Sequence, residues 1–279
     1  MAARFSRRAM LATAAATALA PRLARAAGEA RLITIGAPTT EIVYALGAGD
    51  LVVATDTTSR FPQEAASLPK VGYMRALAAE GLLSLAPNRI IAQEGSGPPE
   101  VLARVREAGI AVDEIPERPD LATLEAKITL IAERLGRQQQ GAELAARLRE
   151  QLQALAPARS LSALCLIHPG GNGWMAAGQD TIPDLYLRLA GARNSIGFSG
   201  IKPLSMEAAI AGAPELLVIS SSALAQAGGL DGLLSLPHLA ATPAAAARRV
   251  VVLEAQLLLG LGPRSPLAVQ QLARVIQAA

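Results

Sequence analysis

Residues 120–156, DLATLEAKITLIAERLGRQQQGAELAARLREQLQALA, form the longest densely charged helical pattern of the chain and separate two stretches that resemble one another. Leu121, Leu124, Ile128, Ile131 and Leu135 recur at helical spacing, and so do Leu144, Leu148, Leu152 and Leu155 after Gly136. Gly136 and Gly141 each disfavour a helix interior by about 1 kcal/mol relative to Ala, which predicts two helices rather than one. The second, from 138 to 156, would run about 28 Å at 1.5 Å per residue, the scale of a small domain. Such an element is able to join two domains stiffly. The plainer alternative is a surface helix inside one domain.

The flanking text is of α/β type. Residues 31–55 read as a strand, a Gly-Pro turn, a helix capped by Thr39 or Thr40, and a second strand. Gly36 and Pro38 suggest a tight turn rather than a phosphate loop, since neither the dinucleotide glycine spacing nor a Lys-Ser/Thr pair is present. Short helices and strands then alternate to residue 114 with short connections, which predicts a mostly parallel sheet. After the central helices the order returns: a strand ending before His168, a glycine-rich loop, and a helix near 181–190. LAAEGLLSLAPNRIIA and LSMEAAIAGAPELLVIS both read as a glutamate-bearing short helix, an Ala-Pro turn and an apolar strand. The echo implies two lobes of related build. The expected division is an export signal at 1–26, a first α/β lobe at 27–137, a connecting helix at 138–157 and a second α/β lobe at 158–279.

The signal follows from a basic start, an apolar run from 9 to 20 and small residues before a plausible cut after Ala26. The run is too short to span a bilayer comfortably. Arg7 and Arg8 directly before it resemble a twin-arginine export signal. Its removal takes five of the 26 basic residues and no acidic one, so 21 basic residues remain against 23 acidic. A nucleic-acid partner loses its electrostatic support with them. Cys165, the only cysteine, excludes an internal disulfide and sits in a strand-like LSALCLI. There is no G-x-S-x-G, no H-E-x-x-H and only two histidines, which argues against an α/β hydrolase or a clustered zinc or manganese site.

Aromatic residues are scarce, at 3 % of the chain, and Phe61, Tyr73, Trp174, Tyr186 and Phe198 all fall outside the seams of the long helices. LPKVGYMRALAAEGLLSLAP, GFSGIKPLSMEAAIAGAPELLVIS, GGLDGLLSLPHLAATPAA and LLLGLGPR together resemble the periplasmic substrate-binding proteins of bacterial ABC importers for iron chelates and corrinoids. Within that family the likeness is to haem-binding proteins of haem uptake systems, and it covers nearly all of the chain after the signal. It implies two Rossmann-like α/β lobes with mostly parallel sheets, joined by one long rigid helix, with a ligand cleft between them. It also implies a monomeric binding protein rather than an enzyme. The implied function is to take up haem in the periplasm and deliver it to an inner-membrane permease dimer with its ATPase, linked only indirectly to an outer-membrane haem receptor. The alternative within the class is a corrinoid or ferric siderophore binder, and outside it a sensor or adhesion module of the same fold.

The residue chemistry is compatible with haem as transported ligand. A Tyr73 phenolate is a hard anionic donor suited to ferric iron, and Arg75 is placed to favour the phenolate or fork onto a propionate. The resemblance implies these roles for both; the plainer reading makes Tyr73 a rim or core ring. His168, at a strand C-terminal end, is the candidate second axial ligand. Lys202 is a candidate propionate partner, and Phe198, Trp174 and Met175 are candidates to pack on the porphyrin. Arg60 and Phe61 precede the tyrosine motif on a loop of the same cleft. His238 reads as a loop histidine. Glu80 and Glu207, one per echoed unit, are implied permease-docking carboxylates, with helix-start capping as the structural alternative.

Overall fold

The computed structural model describes residues 30–155, 160–168 and 173–279. The export signal lies outside them, as do residues 169–172 of the glycine-rich loop. The strands of the first half are β1 (Leu32–Ile35), β2 (Val52–Thr55), β3 (Gly72–Tyr73), β4 (Ala76–Leu77), β5 (Arg89–Gln93) and β6 (Ala111–Ile115). Those of the second are β7 (Ser162–Ile167), β8 (Met175–Ala177), β9 (Arg193–Asn194), β10 (Ile201–Pro203), β11 (Leu216–Ser220) and β12 (Val250–Leu253).

The first sheet is wholly parallel in the order β2-β1-β5-β6. In the second, β9, β7, β11 and β12 repeat that parallel arrangement. The strands that follow the two echoed helices, β5 and β11, occupy equivalent places, so the sequence echo is also a topological one. The second sheet adds two antiparallel strands, β8 on β7 and β10 on β8. The sequence reading assigns both to loops, because each has only three residues and neither shows an apolar alternation.

Each sheet divides its side chains between two faces, as strand alternation requires. Ile33, Ile35, Ile90 and Ala92 pack with Met74 and Leu82 on the far side of the first sheet, whereas Leu32, Ile91 and Ile115 face inward. In the second sheet Leu164, Leu166, Leu217 and Ile219 face outward and Ala163, Cys165, Leu216 and Val218 inward. The inward residues of both sheets join one apolar cluster through the central helices and the last helix, Ser265–Gln277. The two halves therefore share a core besides each having its own.

The central stretch is two helices, Leu121–Leu135 and Gln138–Gln153. Asp120 caps the first by accepting from the Thr123 amide at 2.7 Å, and Gly136 ends it in the left-handed conformation. Gly141 is not a break: it is buried inside the second helix, where an added Cβ would lie 2.5 Å from that of Ala132. The missing side chain lets the two helices approach closely. Leu144, Leu148 and Leu152 are buried, each contributing about 1.5–3 kcal/mol of burial free energy.

Three further expectations change. Thr39 and Thr40 lie inside the Ala37–Ala45 helix, whose N-cap is Gly36 instead. Lys127, although part of the densely charged stretch, is fully buried, donating to Glu117 at 2.6 Å and to the Leu261 carbonyl at 2.7 Å. Burial pulls the Lys127 ammonium below its ordinary pKa, opposed by the Glu117 charge. Tyr186 is a core ring, its hydroxyl shared with Ser265 and the Gly260 carbonyl.

Candidate functional site

In open α/β sheets ligands sit beyond the carboxyl ends of the parallel strands, and the first cluster is built there. Asp56, at the end of β2, is fully buried and acts as a hub. Its carboxylate accepts from the Gly36 amide at 3.0 Å, the Thr58 amide at 2.9 Å and the Ser59 hydroxyl at 2.6 Å. Ser59 also bonds Thr40, which bonds Thr34. Lys70 reaches the Ser59 and Ala65 carbonyls and the Thr55 hydroxyl at 2.6–2.9 Å. Burial lowers the Lys70 pKa, and Asp56 opposes that effect. The Arg60–Phe61 loop is thus fixed from beneath. No sequence motif marks this hub; its signal is only the density of Asp, Ser and Thr after a strand.

The same scaffold carries Tyr73. The Thr57 amide donates to the Gly72 carbonyl at 2.9 Å, joining the loop to the β3–β4 hairpin. Gly72 at φ +107 turns the chain into β3. Leu77 and Met74 anchor the hairpin in the core, and backbone bonds from Gly97 to Met74 and from Leu77 to Gly97 hold its turn. Tyr73 pairs with Ala76, opposite in face to Leu77, and is 49 % exposed. Arg75, at the turn, is also exposed. The structure thus brings Tyr73, Arg75, Arg60 and Phe61 onto one rigid loop cluster.

The second half gathers its own candidates. His168 follows β7 and Trp174 precedes β8, with ring centroids 4.8 Å apart in a T-shaped arrangement. The β8–β10 register sets Lys202 beside Ala176, and the Lys202 ammonium lies 5.4 Å from the Phe198 ring centroid. Met175 is half-buried next to Trp174. The proposed docking carboxylates are both exposed in the first turn of a short helix, Glu80 on Ala79–Leu83 and Glu207 on Met206–Gly212. Glu207 also bonds its own amide and the Ser205 hydroxyl, which hold its carboxyl below the ordinary range. Ser205 in turn caps the helix through the Ala208 amide. His238 has burial holding its pKa down.

Four contacts tie the Arg60–Phe61 loop and Glu41 to the C-terminal part of the chain. Gln256 accepts from the Arg60 amide at 3.0 Å and donates to Glu41. The Arg264 guanidinium lies 4.0 Å from the Phe61 ring centroid and forks onto Glu41 at 2.7 and 2.9 Å. The sequence reading does not single out Glu41, Gln256 or Arg264 as partners, because Glu41 is more than 200 positions from either of the other two. Among the described residues, no three His, Cys, Asp or Glu side chains gather for a bare metal ion, and no helix is long and apolar enough to cross a membrane.

Residues 32–257 match the model of the family described as "Periplasmic binding protein". The chain belongs to the periplasmic binding protein family. Among solved structures it is similar to the periplasmic heme-binding protein RhuT from Roseiflexus sp. RS-1 in apo form, at 36 % identity over 90 % of this chain and 99 % of that one, with TM-score 0.85. It is similar to the periplasmic heme-binding protein BhuT in complex with two hemes, at 43 % identity over 90 % and 99 %, with TM-score 0.84. Among curated proteins it matches the vitamin B12-binding protein of Vibrio cholerae at 37 % identity, over 29 % of this chain and 30 % of that protein. A substrate-binding lipoprotein of an ABC transporter in Bacillus subtilis matches at 24 % over 88 % and 79 %. Family and neighbours are binding and transport proteins.

Proposed function

We propose that this member of the family binds haem in the periplasm and delivers it to an inner-membrane ABC permease. The observation that carries the reading is the exposed Tyr73 phenol beside Arg75 on a hairpin locked into a buried scaffold. A ring in that position offers an anionic oxygen to ferric iron, and Arg75 offers a charge to the phenolate or to a propionate. His168 is the proposed second axial donor, with Trp174, Phe198, Lys202 and Arg60 around the porphyrin. The similarity to structures of haem-binding proteins supports the ligand class. Division into lobes at 27–137 and 158–279, with 138–157 between them, remains part of the proposal, as do the monomeric state and export through a twin-arginine-like signal.

Hemin added to the purified protein is expected to give a high-spin ferric tyrosinate spectrum that is lost in Tyr73→Phe. The mass of the complex reads one or two haems. An unchanged spectrum in the variant would sink the ligation. The second reading is a corrinoid, which the vitamin B12-binding match over part of the chain favours; binding of cobalamin in preference to hemin would select it.

A further inference from the structure

The Phe61 ring is a large apolar surface left 44 % exposed on a loop whose backbone is held on all sides. Asp56 and Lys70 fix that loop from below, and Gln256 fixes it from the other half of the chain. One side of the ring is taken by Arg264, 4.0 Å from its centroid. That guanidinium is itself restrained by Glu41 at 2.7 and 2.9 Å and by Glu254 at 3.0 Å, with its side chain only 19 % exposed. An exposed aromatic ring normally has freedom about both of its side-chain torsions; this one is braced on one side by a cation held in two ion pairs. The loop also carries the Thr57 bond to the Tyr73 hairpin, so the ring and the proposed iron-ligating phenol share one rigid base.

We infer that Phe61 is a pre-set stacking platform for the planar face of the ligand, oriented from behind by Arg264 and its partners Glu41 and Glu254. The inference rests on the haem reading and extends it to a residue that meets the disc rather than the metal. A guanidinium against one face of the ring draws electron density toward itself, which favours an electron-rich π-system on the opposite face. Holding the ring in place before the ligand arrives reduces the ordering cost of binding. Arg264 acts through Phe61 and is a positioning residue.

The test uses the full chain and two porphyrins. In a hemin titration, Phe61→Leu is expected to weaken binding by about two- to twelvefold, the range for an aromatic pair beyond its buried area, while Phe61→Trp retains it. Arg264→Gln is expected to weaken hemin binding in the wild-type background and to add little once Phe61 is Leu. With 4-fluorophenylalanine at the three phenylalanines, the resonance assigned to Phe61 by its loss in Phe61→Leu should move upfield when diamagnetic gallium protoporphyrin saturates the site. Because Arg264→Gln also removes the partner of Glu41 and lowers stability, Phe61→Leu, on an exposed ring, decides the matter. Wild-type hemin affinity in Phe61→Leu with an unmoved resonance overturns the platform, and additive losses overturn the positioning role of Arg264. Failure of the wild-type protein to bind hemin overturns the haem reading itself.

Discussion

Arg264, just before the last helix, forks onto Glu41 of the first helix, Nη2 to Oε1 at 2.7 Å and Nε to Oε2 at 2.9 Å. Glu41 is 5 % exposed, so this pair is a buried bond between residues from opposite ends of the chain. Removing one partner of a buried pair leaves a charge without compensation. Glu41→Ala should therefore cost about 3 kcal/mol in denaturant unfolding. Glu125→Ala, which breaks the exposed pair with Arg149, should cost under about 1 kcal/mol. Equal losses would show that burial does not set the strength of the Glu41 contact.

The shared core and the Glu41 and Lys127 contacts together oppose a large hinge motion. Ligand-free and haem-bound forms should superpose closely as whole molecules, as read by solution scattering or by a pair of crystal structures. A large rotation of one sheet relative to the other would defeat this expectation.

If Glu80 and Glu207 meet the permease, Glu80→Ala and Glu207→Ala should leave hemin affinity unchanged and lower transport in reconstituted vesicles, the double variant most. Glu207 also accepts from its own amide and from the Ser205 hydroxyl in the first turn of its helix, so its variant should be slightly less stable as well. Transport at the wild-type rate in the double variant would leave only the capping role.

The Glu215 carboxylate is held below its ordinary value chiefly by the hydrogen bond from the Ser162 amide at 2.9 Å. A lowered folded pKa means that the unfolded chain takes up the proton first as pH falls. The contribution is complete above the ordinary value of 4.5 and is lost as pH drops through the folded value. Glu215→Gln should be less stable than wild type by about 1 kcal/mol at neutral pH, and the gap should close below pH 4.5. A gap independent of pH would assign the effect to packing.

Cys165 is fully buried in β7, and burial pushes its thiol up to about 12. It should resist a thiol reagent in the native protein and react at once in denaturant. Rapid native labelling would mean that the second sheet opens locally.

The helix pair around Gly136, the α/β order of both halves and the repeated helix-strand unit are legible because each depends on local periodicity or capping. The exposed Tyr73 and Arg75 are legible as a motif. Gly141 misleads, since in isolation a glycine weakens a helix; only the position of Ala132 on the neighbouring helix shows why it is there. Lys127 misleads in the same way, because Glu117 and the Leu261 carbonyl that receive its charge lie on other segments. The strands β8 and β10 escape detection because three residues carry too little pattern, and they exist only because β7 offers an edge.

The two related α/β halves, the helix pair between them and the tyrosine-bearing loop can be read from the chain, since each depends on interactions a few residues long. Packing in three dimensions is what joins the inward faces of both sheets in one core. The same packing puts Arg264 behind Phe61 and against Glu41, because a contact between residues 223 positions apart follows from how the sheets and helices meet and leaves no periodic trace in the chain.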